Sequence, residues 1–315
     1  MPAGIAKRFI PAAPWVFTLL LCCVLLIRPA LALEEPLGDV NWVGGYIRGI
    51  GYGTANPSGN KAQDRLLAIR AAEVIAQRAL AETINGVKVD GVTAVRDAMK
   101  EFIVSSHVEG VIRGAQKVHT KVTWDGDTPQ AMVELRICLV ADAPACRAGN
   151  SLISALTVKE RTEPSYVPAV YYEYDAGSGA PADKNDWLPK SDKPSYDPSR
   201  PVTGLVLRLK GTRYEKELFP VVVTRGEGGK LLTVYSAKIV RPDVIKANGI
   251  ARYADAVDQG LKDTRLGDNP LMVAVSEVTK ENMLVIREEG ARAIRETSRY
   301  GNDYLANGKV VIVGK

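Results

Sequence analysis

The chain has 315 residues, 46% of them hydrophobic and 24% charged, with a formal charge of +5. That length allows two domains of ordinary size, and a charge so near neutral excludes the dense basic footprint of a nucleic-acid binder. Two histidines and four cysteines leave little material for metal or redox chemistry.

Residues 1–32 read as an export signal. Lys7 and Arg8 supply the positive start, Trp15 to Ile27 an almost unbroken apolar run, and Ala30-Leu31-Ala32 a small-x-small cleavage site before Leu33. The apolar run is about a dozen residues, short of the roughly 18 to 20 that a membrane-crossing helix needs, so a permanent anchor is not expected. Cys22 and Cys23 stand where a lipoprotein signal would place its acylated cysteine, but Leu21 precedes them where such processing wants a small residue. Apolar filler in a discarded peptide is the simpler account. Cleavage removes Lys7, Arg8 and Arg28 and no acid, so +5 becomes +2. The expected location is the periplasm, or its periphery at the outer membrane.

Residues 33–156 read as one α+β unit. Trp42 to Tyr52 is a glycine-laced strand ended by the turn Asn56-Pro57-Ser58-Gly59. A long helix follows from Asn60 to Ile84, with one apolar stripe at Leu66, Ile69, Ala76, Leu80 and Ile84 and a second at Leu67, Ala71, Val74 and Ile75. A helix apolar on two faces is normally covered on both. Asn85-Gly86 predicts a left-handed stop, Val87 to Val95 a strand, and Arg96 to Val104 a shorter helix.

The turn Asp125-Gly126-Asp127-Thr128-Pro129 then closes a hairpin. With Thr123 opposite Gln130, the inward face carries Ile112, Val118, Val122 and Trp124 against Ala131, Val133, Leu135, Ile137 and Leu139. The outward face carries Arg113, Lys117, His119 and Lys121 against Met132, Glu134 and Arg136. Those four outward side chains form a basic stripe, a candidate anion-binding face. Cys138 and Cys146, the cysteines left after cleavage, predict a disulfide in an oxidising compartment. A redox or metal role is disfavoured, since no third ligand lies nearby and the spacing is not CxxC.

Residues 157–201 hold seven prolines and five tyrosines, a composition that predicts an extended linker. Residues 202–315 read as a second α+β unit. Strands are expected at Val202 to Leu209, Leu218 to Thr224, Leu231 to Tyr235, Leu271 to Val278, Met283 to Arg287 and Val310 to Val313. Helices are expected at Pro242 to Leu261, broken at Asn248-Gly249, and at Glu288 to Tyr300. The fold class is therefore α+β, two small α+β domains on a Pro/Tyr-rich linker.

No catalytic constellation emerges. Gly49-Ile50-Gly51-Tyr52-Gly53 has GxGxG spacing, not the GxGxxG of a nucleotide loop, and close backbone packing explains it better. His107 and His119 lack companion ligands, and the acid pairs Glu34-Glu35 and Glu288-Glu289 fall at a new N-terminus and a helix start. No cofactor or metal is expected.

Three stretches together carry a family resemblance: Arg48-Gly49-Ile50-Gly51-Tyr52-Gly53; Ile69-Arg70-Ala71-Ala72-Glu73 with Ala79 to Val87, reading ALAETINGV; and Val108-Glu109-Gly110-Val111-Ile112-Arg113-Gly114-Ala115. Over about residues 41–141 the chain resembles the twenty-kilodalton outer-membrane lipoprotein family and the related N-terminal domains of the flagellar assembly proteins P and T. That resemblance implies a non-enzymatic envelope domain of a Gram-negative bacterium, often assembled into rings at the flagellar motor. The missing lipobox departs from the lipoproteins. The expected function is a non-enzymatic cell-envelope structural or assembly protein, partnered by its own copies or by another envelope protein, with outer-membrane or peptidoglycan contact. The competing reading is a monomeric periplasmic binding module for glycan or another anionic polymer.

Overall fold

The computed structural model describes residues 37–143, 151–157, 193–298 and 303–314. The signal, its cleavage site at Ala30, Ala32 and Leu33, Cys146, and most of the expected linker lie outside these residues. The protein is α+β, with two sheets, one in each expected α+β unit.

The first sheet has four strands in the order β1-β2-β4-β3: β1 (Gly38–Asn41), β2 (Tyr46–Thr54), β3 (Gln116–Asp125) and β4 (Thr128–Cys138). Helix α1 (Lys61–Gly86) crosses one face. It starts where Asn60 Oδ1 accepts from the backbone N–H groups of Ala62 and Gln63. It does not stop in a left-handed glycine: the helix runs through Gly86 and ends on Val87, whose ψ of 128° turns the backbone extended.

The buried row of α1 is Ala68, Ala72, Ala76, Leu80 and Ile84; of the first expected stripe Ala76, Leu80 and Ile84 are buried and Ile69 is partly so, while Leu66 is exposed and Ala68 and Ala72 take the row's first half. The reason lies on β2. A Cβ added at Gly51 would sit 2.1 Å from the Ala72 carbonyl oxygen, and one at Gly49 would sit 2.6 Å from that of Ala76. Helix backbone rests directly on strand backbone, and alanine lines that seam at Ala68, Ala72 and Ala76 before Leu80 meets Gly49. The leucines at 66 and 67 are displaced to the surface, 65% and 51% exposed.

Between the helix and the hairpin the expected elements shift. Val87 to Val95 forms only isolated bridges, Lys88 to Ala94 and Lys88 to Glu217. Two helices follow, α2 (Val95–Ala98) and α3 (Phe102–Arg113). Ile112 and Arg113, expected in a strand, thus belong to the last turn of α3. Helix α4 (Leu152–Leu156) then packs against α3.

The second sheet has seven strands in the order β7-β6-β10-β9-β5-β11-β8: β5 (Gly204–Arg208), β6 (Val222–Arg225), β7 (Leu231–Tyr235), β8 (Arg252–Ala254), β9 (Pro270–Val278), β10 (Leu284–Ile286) and β11 (Val310–Val313). It is mixed, with parallel pairing of β6 to β10 and of β9, β5, β11 and β8 in turn. Both faces are covered. Helix α6 (Val257–Leu261) packs through Gly260 against Val311 and Val313, while α7 (Glu288–Ser298) packs through Gly290 against Val273 on the other face. Burial on both sides is why Val310–Val313 is an unbroken apolar run rather than an alternating one. The expected broken helix at Pro242 to Leu261 is really α5 (Pro242–Asn248), then β8, then α6. Gly249, with φ +69°, makes the break.

The two sheets share one continuous hydrophobic core, which runs from Ile47 and Val133 in the first to Leu207 and Ile312 in the second. Ring and backbone contacts join the two across the seam. Trp42 meets Tyr253 edge to face at 5.3 Å between ring centroids. The Asp142 N–H donates to the Ala247 carbonyl at 2.8 Å. Leu218 and Phe219 donate their N–H groups to the carbonyls of Lys88 and Val89 at 3.0 and 2.8 Å.

The glycine contact gives a direct test. Gly51→Ala should destabilise by about 3 kcal/mol, because the added methyl must push helix backbone away. Gly110→Ala, in α3 with nothing within 4 Å of an added Cβ, should instead stabilise by about 0.5 to 1 kcal/mol. Urea unfolding midpoints of the two variants should move in opposite directions.

Candidate functional site

The hairpin keeps the expected register near its turn, with Thr123 opposite Gln130 and His119 opposite Glu134. A bulge at Val118 then shifts the register, so Lys117 rather than Val118 pairs with Leu135. This turns Lys117 onto the helix side of the sheet, where its ammonium forms an ion pair with Glu73 of α1. That contact is the first cause holding the Glu73 carboxyl below its ordinary range, ahead of the opposing effect of burial and the help of Arg70. Val118 is 41% exposed, not inward.

The expected basic stripe is corrected accordingly. Arg113 lies in α3 and Lys117 is engaged on the opposite face, which leaves His119 and Lys121 as the pair that shares the outer face of β3. Val122 packs partly against the core as expected, whereas Trp124 is half out in solvent with Lys61 over its ring. Cys138 is disulfide-bonded, and its expected partner Cys146 lies outside the described residues. His107 is held to its own helix by the Ile103 carbonyl at 2.8 Å. Glu288 opens α7 and pairs with Arg295 of the same helix. Among the described residues no three His, Cys, Asp or Glu side chains are grouped to hold a metal ion.

Among the described residues, the face of α1 turned away from the sheet is left without a partner. Leu67 and Val74 lie roughly opposite the buried row Ala68, Ala72 and Ala76 and face away from the sheet, with Leu66 and Glu73 on the side towards β3 and Ala71 on the side towards β2. There β1 pairs only with Tyr46 to Gly49, and no described strand covers β2 from Gly51 to Thr54. Leu67 is 51% and Val74 44% exposed, and Tyr52 on that edge is 62% exposed. Exposed apolar side chains on a helix, and a strand edge that no described strand covers, are features that natural proteins otherwise conceal.

A second feature lies in the seam and gives no sign in the sequence, where Glu217 reads as one more charge in a polar loop. It is 1% exposed. Tyr214 donates its hydroxyl to Glu217 Oε1 at 3.2 Å, and Asn282 Nδ2 donates to Oε2 at 3.1 Å. Tyr253 holds the same residue by its backbone, donating its hydroxyl to the Glu217 carbonyl at 2.7 Å. Burial is the largest influence on the carboxyl and pushes it up to about 7, against the two hydrogen bonds and Lys88, with Asp90 adding to the rise. Burial likewise raises the phenols of Tyr214 and Tyr253. A carboxyl near 7 is what a general acid or base needs. Here, though, the adjoining cavity is only about 30 Å³, room for water and not for a substrate. The cluster is a joint between the sheets.

Residues 204–315 match the family model described as the second domain of Treponema pallidum Tp0624. The match begins at the first residue of β5 and takes in the whole seven-stranded sheet with α5, α6 and α7. No curated protein matches the chain.

Two mutational outcomes follow from this geometry. Lys117→Asp should cost about 1 kcal/mol by setting a second carboxylate against Glu73, while Val118→Asp in the exposed bulge should stay within about 0.5 kcal/mol of the parent; paired chemical-denaturation curves decide the order. For Glu217 the folded protein holds the proton more tightly than the unfolded chain, whose carboxyl titrates near 4.5. Its contribution to stability is therefore fully present below pH 4.5 and is lost as the pH rises through about 7. Glu217→Gln should flatten that decline and gain about 3 kcal/mol at pH 8.5 relative to the parent, as read from unfolding free energies across the range.

Proposed function

We propose that the protein is a non-enzymatic structural or assembly component of the cell envelope, exported to the periplasm or the periphery of the outer membrane, and that it self-associates through the outward face of α1. The observation that carries this reading is the inversion on that helix: alanines face the sheet, and Leu66, Leu67 and Val74 face outwards. Leucine on a solvent face does nothing for the monomer. That face offers a second copy apolar area, and the edge of β2 from Gly51 to Thr54, which no described strand covers, offers strand hydrogen bonds. The resemblance of residues 41–141 to envelope lipoproteins and to flagellar assembly domains supports the same role and suggests a ring-forming relative. The alternative of a monomeric module for an anionic polymer draws less support, since the basic face it needs keeps only His119 and Lys121.

Sedimentation velocity on residues 33–315 tests the reading. A dimer or larger species is expected at tens of micromolar, and the double variant Leu67→Glu, Val74→Glu should sediment as a monomer while keeping its stability within about 0.5 kcal/mol per site. A parent protein that stays monomeric throughout would sink the proposal.

A further inference from the structure

Glu217 occupies an unusual position in the chain. Its side chain is enclosed by Tyr214, Asn282 and the Tyr253 ring, and the two residues after it, Leu218 and Phe219, make the backbone bonds that tie the second sheet to the Lys88–Val89 segment of the first. The loop that carries it is held from the far side by Asn282, which accepts from the Glu215 N–H at 3.1 Å and donates to the Glu215 carbonyl at 2.7 Å. Asn282 does this in a left-handed conformation, φ +62°. The small cavity beside Glu217 is lined from both sides of the seam, by Trp42, Val140 and Ile153 on one side and by Leu218, Ala251 and Tyr253 on the other.

From this arrangement we propose that Glu217 is a proton-sensitive latch: when its carboxyl is protonated the seam stays closed, and when it ionises the Glu215–Phe219 segment releases the Val87–Asp90 segment while both sheets remain folded. The charges around it leave ionisation poorly compensated. From the Val87–Asp90 segment, Asp90 opposes it and Lys88 favours it, but Lys88 is shared with Glu215 at 3.7 Å. On its own segment Lys216 is committed to Asp255 at 3.5 Å. From β8, Arg252 is drawn to the Asp142 carbonyl and to Asp263. Lys280 and Glu281 precede Asn282 on the turn that closes over the site, where the Glu281 carbonyl abuts Gly91. An ionised carboxylate in this position gains most by admitting water, and the small cavity of about 30 Å³ already at its side gives that water a place to enter. Opening is local because the bonds at stake are the two from Leu218 and Phe219, whereas the paired strands of each sheet lie elsewhere.

Amide hydrogen exchange on the full mature chain, corrected for the intrinsic rate at each pH, tests the latch. Between pH 5.5 and 8.5 the protection of Leu218 and Phe219 should fall by roughly thirtyfold, most of the fall coming below about pH 7 and levelling off above it. Throughout, these two amides should exchange faster than those of Val310–Val313. In Glu217→Gln their protection should vary less than about threefold over the same range. If Leu218 and Phe219 exchange only at the rate of the Val310–Val313 core at every pH, or if Glu217→Gln keeps the parent's pH response, the latch is refuted. Should that variant fail to fold, the parent alone still decides, through the presence or absence of the local, pH-dependent loss.

Discussion

The first half of the molecule depends on a contact between two backbones. Gly49, Gly51 and Gly53 leave the helix-facing side of β2 without side chains beyond Ile47, and α1 comes down until its own carbonyls and amides meet the strand. Alanine lines that contact on the helix, where Ala68, Ala72 and Ala76 are fully buried. Larger residues return to the seam only at Leu80 and Ile84. The usual ranking of side chains by burial is reversed along the first half of this helix, and its leucines become surface. A packing solution inside the monomer thereby creates the apolar face on which self-association rests.

The hairpin illustrates how much one extra residue can redirect. Near the turn, alternation alone gives the register, because Ala131, Val133 and Leu135 need the buried face. At Val118 the bulge restores pairing with a phase shift, and one lysine changes sides of the sheet to meet Glu73. The same bulge, with Lys121 and His119 along the strand, makes β3 a poor template for another chain. Of the two sides of this sheet, the β3 edge is guarded, while beyond β1 no described strand covers β2 from Gly51 to Thr54.

Between the sheets the structure accepts a buried acid. Its hydrogen bonds to Tyr214 and Asn282 satisfy both carboxyl oxygens, yet burial outweighs them and favours the proton. Since the neighbouring residues Leu218 and Phe219 bind the other sheet, electrostatics at one side chain and hydrogen bonding across the seam are joined through three consecutive residues. Two sheets that share a core are held at a joint whose strength depends on pH.

Local chemistry was enough to place most elements. Asn60 begins the long helix through its own side chain, Gly126 closes the hairpin at a φ of +59°, and the run Val310–Val313 had to be a strand. The α+β class follows from those elements, and the glycines of β2 could be read as close packing from their spacing alone. Other features were decided by partners distant in sequence. Which row of α1 is buried depends on how near β2 approaches, and the sidedness of Lys117 depends on a bulge whose pairing partner lies beyond the turn. The burial of Glu217 needs Tyr253 and Asn282, 36 and 65 residues away. Sequence periodicity records which residues share a face; how closely that face is approached, and by what, is fixed only when the chain packs against itself.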